Sequence, residues 1–170
     1  TEGDDRHAFS VFKVSGLAST ALLEKIGLRL KPLENLESVG LTLNHDEQSA
    51  WERVQERFYS LCAKSAAIGK PVFIDAEESW IQPTIDALAE SAMRKWNVEE
   101  AIVYNTVQLY RTDRLGYLKS LTKSAGEKGF KIGVKLVRGA YMEKERERAI
   151  THGYTSPIQP NKTATDNDFN

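Results

Sequence analysis

The chain has 170 residues, of which 41% are hydrophobic and 28% are charged, and its formal net charge is −1. This composition is typical of one globular domain, and the balanced charge argues against a nucleic-acid backbone as the main partner. The single cysteine, Cys62, has no partner for an intrachain disulfide, which fits a reducing compartment. No run approaches the roughly 18 apolar residues of a membrane span, and the opening TEGDDRH lacks the apolar core of a signal peptide.

Apolar periodicity predicts alternating strands and helices along the chain. The predicted strands are Ala8–Val14, Val72–Asp75, Ala101–Val107 and Ile132–Val137. The predicted helices are Asp46 to about Ile68, Pro83 to about Trp96, Leu115–Lys128 and Glu143–Thr151, with Asp46 as an N-cap and Trp51 and Phe58 in the core. The leucine-rich stretch Thr20–Leu43 is predicted to add helix or loop. The polar tail PIQPNKTATDNDFN is predicted to be turn-rich and to lack a closing helix.

The regular spacing of these strands defines the fold class. The runs that begin at Val72, Ile102 and Ile132 lie 30 residues apart, which is the length of a βα unit in a parallel α/β fold. No G-x-G-x-x-G follows the first strand and there is no Walker phosphate loop, so the nucleotide-binding versions of a doubly wound sheet are disfavoured. We expect an α/β fold, a (β/α)8 TIM-type barrel of which about the first four units are present. Residues 1–170 then form one partial barrel domain that stops before strands five to eight.

Polar side chains stand at the carboxyl ends of all four predicted strands, where such barrels carry their active sites. They are Lys13, Asp75 with Glu77 and Glu78, Asn105 with Gln108, and Lys135 with Arg138. Structural explanations also exist. Lys13 and Asp75 can form a plain ion pair, Glu77 and Glu78 can compensate a helix dipole, and Asn105 and Gln108 can cap strands.

Two other polar groups are assigned no functional role. The charged run Lys144–Arg148 is predicted to be a solvated helix face. The three histidines, His7, His45 and His152, lack the spacing of a metal site, so no metal is expected.

Four segments together resemble the proline dehydrogenase family, in its monofunctional, eukaryotic-like branch. They are FKVSGLA (Phe12–Ala18), VFIDAEESWIQP (Val72–Pro83), VYNTVQLYR (Val103–Arg111) and VKLVRGAYMEKER (Val134–Arg146), and GYTSPIQPNKTATDNDFN (Gly153–Asn170) resembles the loop after the fourth unit. The resemblance implies FAD-dependent oxidation of L-proline to Δ1-pyrroline-5-carboxylate. Hydride passes to the flavin N5 and electrons pass on to a quinone.

The resemblance also implies roles for individual residues. Lys13 would face the substrate carboxylate and pair with Asp75, and Tyr141 would line the substrate pocket. Lys135 stands where the family has an arginine near the flavin N5, and it keeps the positive charge without the planar fork. Asn105 stands at the position of a flavin-binding glutamine, with Gln108 as the nearby alternative. The remaining cofactor contacts would be Ala76, Arg138, Gly139 and Ala140.

Two other functions remain open at this point. Lys13 or Lys135 can form a Schiff base in an aldolase-type barrel, and the chain can be a non-catalytic half-barrel fragment. The resemblance further implies that the polypeptide alone is inactive or nearly so and that its exposed half-barrel edges favour self-association. It also implies peripheral membrane association of the full protein. The location would be the cytoplasm at the inner membrane in a bacterium, or the mitochondrion in a eukaryote.

Overall fold

The structure is a computed structural model that describes residues 8–30, 36 and 43–170. Its strands are β1 (Ser10–Phe12), β2 (Val72–Ile74), β3 (Val103–Gln108) and β4 (Val134–Val137). Its helices are α1 (Thr20–Gly27), α2 (His45–Ala67), α3 (Gln82–Trp96), α4 (Arg114–Lys128), α5 (Met142–His152) and α6 (Lys162–Phe169). His7, one of the three histidines named above, lies outside the described residues. So do residues 31–35 and 37–42 of the stretch that was predicted to add helix or loop. No helix within the described part is long and apolar enough to cross a membrane.

The four strands form one parallel sheet in the order β1-β2-β3-β4. A doubly wound sheet reverses its strand order at a switch point, whereas a barrel adds each strand beside the previous one. The sequential order therefore favours the barrel arrangement over the doubly wound sheet. A helix follows each strand, as the 30-residue spacing predicted.

The two faces of the sheet have different neighbours. Val72, Ile74 and Val103 belong to the main hydrophobic core, which includes Trp51 and Phe58 of α2 as predicted. Because side chains alternate along a strand, the residues between them point to the other face. There Phe73 of β2 stacks on Tyr104 of β3 with ring centroids 4.7 Å apart.

Gly133 lies beside this aromatic pair, immediately before β4. A Cβ atom at this position would stand 2.5 Å from the carbonyl oxygen of Val103 and 2.9 Å from Cγ of Tyr104. The contact with the backbone leaves no room for a side chain. The glycine therefore permits the close approach of β3 and β4.

Several predicted boundaries are corrected by local hydrogen bonds. The first strand ends at Phe12 because Val14–Gly16 forms a short 3-10 turn. The N-cap of α2 is Asn44 and not Asp46, since Asn44 accepts from the Glu47 amide and Glu47 accepts from the Asn44 amide. The tail does contain a helix, α6, whose N-cap Asn161 accepts from the Ala164 amide at 2.9 Å.

Candidate functional site

The carboxyl ends of the four strands surround a pocket of about 260 Å³. Eight of the predicted site residues line it: Lys13, Asp75, Ala76, Gln108, Lys135, Gly139, Ala140 and Tyr141. Thr106, Tyr110 and Val137 complete the lining. The parallel register explains this convergence, because equivalent positions on neighbouring strands end at one edge of the sheet.

Asp75 joins the two predicted lysines. Its carboxylate forms a hydrogen-bonded ion pair with Lys135, and its other oxygen lies 3.7 Å from Nζ of Lys13. The strands β2 and β4 are separated by β3 and so stand about 9–10 Å apart. The short Thr106 of β3, which pairs in register with Lys135, leaves the space that the Lys135 side chain crosses. The predicted Lys13–Asp75 pair is thus present, with Lys135 as the closer partner.

Lys13 also contacts Tyr141 from the far side of the pocket. Its Nζ donates to the Tyr141 hydroxyl at 3.1 Å and lies 5.7 Å from the ring centroid. Partial burial acts to lower the pKa of Lys13, but the Tyr141 contact and the charge of Asp75 outweigh it. The pKa of Lys13 is therefore raised above its ordinary value of 10.5, and the side chain is an ammonium ion at neutral pH.

The two amide candidates lie on opposite faces of β3. Gln108 is 1% exposed, and its amide nitrogen donates to the carbonyl of Glu77 at 2.6 Å and to the hydroxyl of Tyr110 at 2.9 Å. Its amide oxygen accepts from Arg111 at 3.1 Å. These bonds fix the Gln108 amide at the wall of the pocket.

Asn105 points towards the helices, where it donates to Asp86 at 2.8 Å and to the Tyr117 hydroxyl at 3.2 Å. Asp86 also forms an ion pair with Arg114 at 2.8 Å. A second pocket of about 320 Å³ between α3 and α4 borders this network and shares no lining residue with the strand-end pocket. The structure thus does not bring Asn105 to the same pocket as Gln108.

Arg138 is the other predicted residue that does not line the strand-end pocket. Its guanidinium forms an ion pair with Asp166 at 2.9 Å and lies 3.9 Å from the ring centroid of Phe169. Both partners belong to α6, the helix that was not predicted. Arg138 is half-exposed beside the pocket.

Two buried glutamates lie near the pocket, Glu77, which the sequence placed at the end of the second strand, and Glu145, which it did not single out. Glu77 accepts from the backbone amide of Ser15 at 2.9 Å and from the Ser15 hydroxyl, so it does not act as a helix-start acid. Glu145 is 1% exposed and accepts from the amide and the hydroxyl of Ser79, each at 2.6 Å. The prediction that Lys144–Arg148 is a solvated face is therefore wrong for Glu145. The i, i+4 spacing of Tyr141, Glu145 and Ala149 is the signal that identifies the buried face of α5.

The neighbours of Glu145 on α5 are also engaged. Lys144 forms an ion pair with Glu78, and Arg148 forms one with Glu24. The Arg148 guanidinium lies 4.1 Å from the ring centroid of Trp80. No group of three or more metal-binding side chains occurs within the ranges that the structure describes.

Comparison with solved structures shows the fold. Proline utilization A (PutA) from Bdellovibrio bacteriovorus, inactivated by N-propargylglycine, matches with a TM-score of 0.73 and 19% identity. The match covers 94% of this chain and 14% of that one. PutA from Corynebacterium freiburgense matches with a TM-score of 0.71 and 20% identity, over 98% of this chain and 16% of that one. These likenesses confirm the predicted TIM-type barrel fold.

Comparison with curated proteins shows the family. Mitochondrial proline dehydrogenase 1 of Homo sapiens is 35% identical over 130 residues, which are 76% of this chain and 22% of that protein. The carbapenem antibiotics biosynthesis protein CarD of Pectobacterium carotovorum is 35% identical over 84% of this chain and 35% of its own length. The hydroxyproline dehydrogenase of Xenopus laevis is 32% identical over 81% of this chain and 29% of its own length. The chain thus spans between about a fifth and a third of these relatives.

The family model described as proline dehydrogenase matches residues 6–170, which is nearly the whole chain. The identities above and this match confirm the resemblance predicted from the four strand-end segments. The chain belongs to the proline dehydrogenase family.

Proposed function

We propose that the strand-end pocket is the part of a proline dehydrogenase active site built by the first four βα units of the barrel. The proposed reaction is FAD-dependent oxidation of L-proline to Δ1-pyrroline-5-carboxylate. The observation that carries it is the cluster of Lys13, Asp75, Lys135 and Tyr141 at one end of the sheet, in a chain of this family. The names of the curated relatives support proline or a hydroxylated proline as the substrate class.

The pocket residues fit a flavin. A planar ring system needs a wall without bulky side chains, and Ala76, Gly139 and Ala140 provide one. A reduced flavin carries negative charge, for which Lys135 offers a cation. Gln108 is a better candidate than Asn105 for a contact with the ring, because Gln108 lines the pocket and Asn105 is bonded on the helix side. Arg138 is half-exposed at the rim and remains a candidate for an anionic part of FAD.

When bound, the flavin would accept a hydride from the carbon beside the proline nitrogen. The protein's contribution is to orient the substrate and to balance charge. Lys13 is kept protonated by Tyr141 and Asp75, so it offers a permanent cation for the proline carboxylate. The Asp75 carboxylate contacts both lysines, so its negative charge offsets part of the repulsion between these two cations. Tyr141 covers Lys13 and is proposed to line the substrate side of the pocket.

The Schiff-base alternative needs a lysine whose neutral amine is available as a nucleophile. Lys13 has a raised pKa and lies 3.7 Å from the Asp75 carboxylate, and Lys135 forms an ion pair with the same carboxylate. These surroundings support charge stabilisation over amine nucleophilicity. The alternative therefore receives no support from the geometry.

The wider setting is proposed from the family alone. A quinone would take the electrons from the flavin, and the full protein would associate peripherally with a membrane. The curated human and Arabidopsis relatives are named as mitochondrial proteins, so a mitochondrial location is proposed if the source is a eukaryote. If the source is a bacterium, a cytoplasmic location at the inner membrane is proposed.

The test is the visible absorption of the purified polypeptide after incubation with FAD and removal of the excess. Binding is a better measure than turnover here, because the chain spans only 22% of the human relative. We expect a retained flavin band whose position L-proline shifts, while D-proline at the same concentration does not shift it. A colourless protein would contradict flavin binding by these residues. A trapped covalent adduct with a carbonyl compound after borohydride would support the Schiff-base alternative.

A further inference from the structure

Two serine–glutamate pairs connect the segments that surround the strand-end pocket. Glu77, after β2, accepts from the amide and hydroxyl of Ser15, which follows β1. Glu145, on α5, accepts from the amide and hydroxyl of Ser79, two residues after Glu77. The segment after β1 is thereby attached to the segment after β2, and that segment is attached to the helix that follows β4.

Both glutamates are buried, being 3% and 1% exposed. Burial of a carboxylate costs free energy unless strong hydrogen bonds replace its water. Within the described part of the chain, Glu145 has no ion-pair partner, and its two oxygens are bound by Ser79 alone. A buried charge held in this way restricts the position of α5 relative to the segment after β2. A charged residue that served only to keep the helix soluble would be exposed, whereas Glu145 is buried.

Tyr141 lies one helical turn before Glu145 and has an unusual backbone. Its φ is +56°, the only positive value at a non-glycine residue among those described. This left-handed conformation costs roughly 1–2 kcal/mol in a residue with a side chain. The Tyr141 carbonyl accepts from the Glu145 amide at 2.9 Å, so both residues belong to the same turn. The surrounding contacts must hold this conformation in place.

We propose that Glu145 is a positioning residue, which through Ser79 holds the start of α5 so that Tyr141 keeps its left-handed backbone and its hydroxyl on Lys13. Lys13 is in turn fixed from its own side by the bonds between Ser15 and Glu77. The consequence for substrate orientation rests on the proposed function, whereas the positioning of Tyr141 against Lys13 does not. Glu145 itself touches neither the substrate nor the cofactor in this account.

The test measures the pH profile of amine labelling at Lys13 by mass spectrometry, in the chain without FAD or proline. The plateau rate at high pH reports exposure, and the midpoint reports the pKa of Lys13. The Tyr141 hydrogen bond raises that pKa, so its loss lowers the midpoint. We expect Glu145→Gln to lower the midpoint by about 0.3 unit or more, a twofold change in the acid constant. Glu143→Gln removes an equal charge from the same turn at an exposed position and is expected to leave the midpoint unchanged.

A second comparison separates positioning from general loosening. In a Tyr141→Phe background the hydroxyl is already absent, so Glu145→Gln is expected to produce no further change in the midpoint. Equal shifts with and without the Tyr141 hydroxyl would overturn the proposal, as would no shift at all in Glu145→Gln. If Glu145→Gln does not fold, Ser79→Ala removes one of the two bonds and is expected to lower the midpoint in the same direction. Because no flavin is involved, the result does not depend on whether the chain binds FAD.

Discussion

Asp86 provides a sharp test of what holds the sheet and its helices together. Its carboxylate is 5% exposed and accepts from Gln82 at 2.9 Å and from Asn105 at 2.8 Å. It also forms an ion pair with the buried Arg114, at 2.8 Å. Replacement by Asn preserves the shape but removes the counter-charge of a buried guanidinium. The only other carboxylate near that guanidinium in the described chain is Asp113, which is half-exposed and 3.8 Å away.

Removal of one partner from a buried ion pair typically costs 3–5 kcal/mol. Because Asp113 compensates part of the charge, we expect Asp86→Asn to lower the free energy of unfolding by about 3 kcal/mol, at the low end of that range. The assay is urea unfolding at pH 7, followed by circular dichroism. The exposed Glu127→Gln, which loses a surface pair with Lys123, is the control and should change stability by about 0.5 kcal/mol or less. A loss below about 1 kcal/mol in Asp86→Asn would refute the assigned role of this ion pair.

Three further predictions concern other parts of the chain. Burial, with the charge of Asp86, raises the pKa of Glu90 to about 7, so the folded state holds a proton that the unfolded state releases above its ordinary value of 4.5. The free energy of unfolding therefore falls as pH rises from about 4.5 to 7. Glu90→Gln should remove this part of the pH dependence and stabilise the fold by roughly 3 kcal/mol at pH 8. Identical unfolding curves for the wild-type protein and the variant at pH 5 and at pH 8 would contradict this prediction. Burial also raises the pKa of the Cys62 thiol to about 12. A thiol reagent at pH 8 should therefore react with Cys62 only after denaturant is added. Rapid labelling of the folded protein would show that α2 is not packed as described. Val11 is 53% exposed on β1, an edge strand of the described sheet, and we propose that copies of the chain associate through such edges. Val11→Lys should then reduce the mass of the particle measured by analytical ultracentrifugation. A wild-type protein that is already monomeric would exclude this association.

The strand spacing and the strand-end residues could be predicted from the sequence because both follow from simple geometry. Equal 30-residue units generate parallel strands, and parallel strands bring Lys13, Asp75 and Lys135 to one edge. The sequence also contains the information that decides which of Asn105 and Gln108 faces the strand-end pocket. They lie three residues apart on one strand, and the two-residue alternation places them on opposite faces. Asn105 shares the face of the buried Val103, which points to the helices.

The partners of individual charges could not be predicted in this way. Glu145 lies in a run of six charged residues, Glu143–Arg148. The spacing of Tyr141, Glu145 and Ala149 indicates the buried face of α5, but the partner of Glu145, Ser79, is set by a tertiary contact that the sequence does not reveal. Helix α6 was missed because its eight residues carry no apolar stripe, so its stability depends on the Asn161 cap and on contacts such as Phe169 with Arg138. The same contacts hold the Arg138 guanidinium on α6, beside the strand-end pocket and outside its lining.

The central claim is that the cation at the end of β4 belongs to a flavin site, and the most direct test is the FAD affinity of Lys135→Met. The measurement is equilibrium titration of FAD, followed by its absorption and fluorescence, against the wild-type chain and Lys162→Met. Lys162 is 82% exposed on α6 and serves as the matched loss of one positive charge. We expect FAD affinity to fall about tenfold or more in Lys135→Met, equivalent to roughly 1.4 kcal/mol, and to be unchanged in Lys162→Met. Equal affinity in all three proteins would contradict the account.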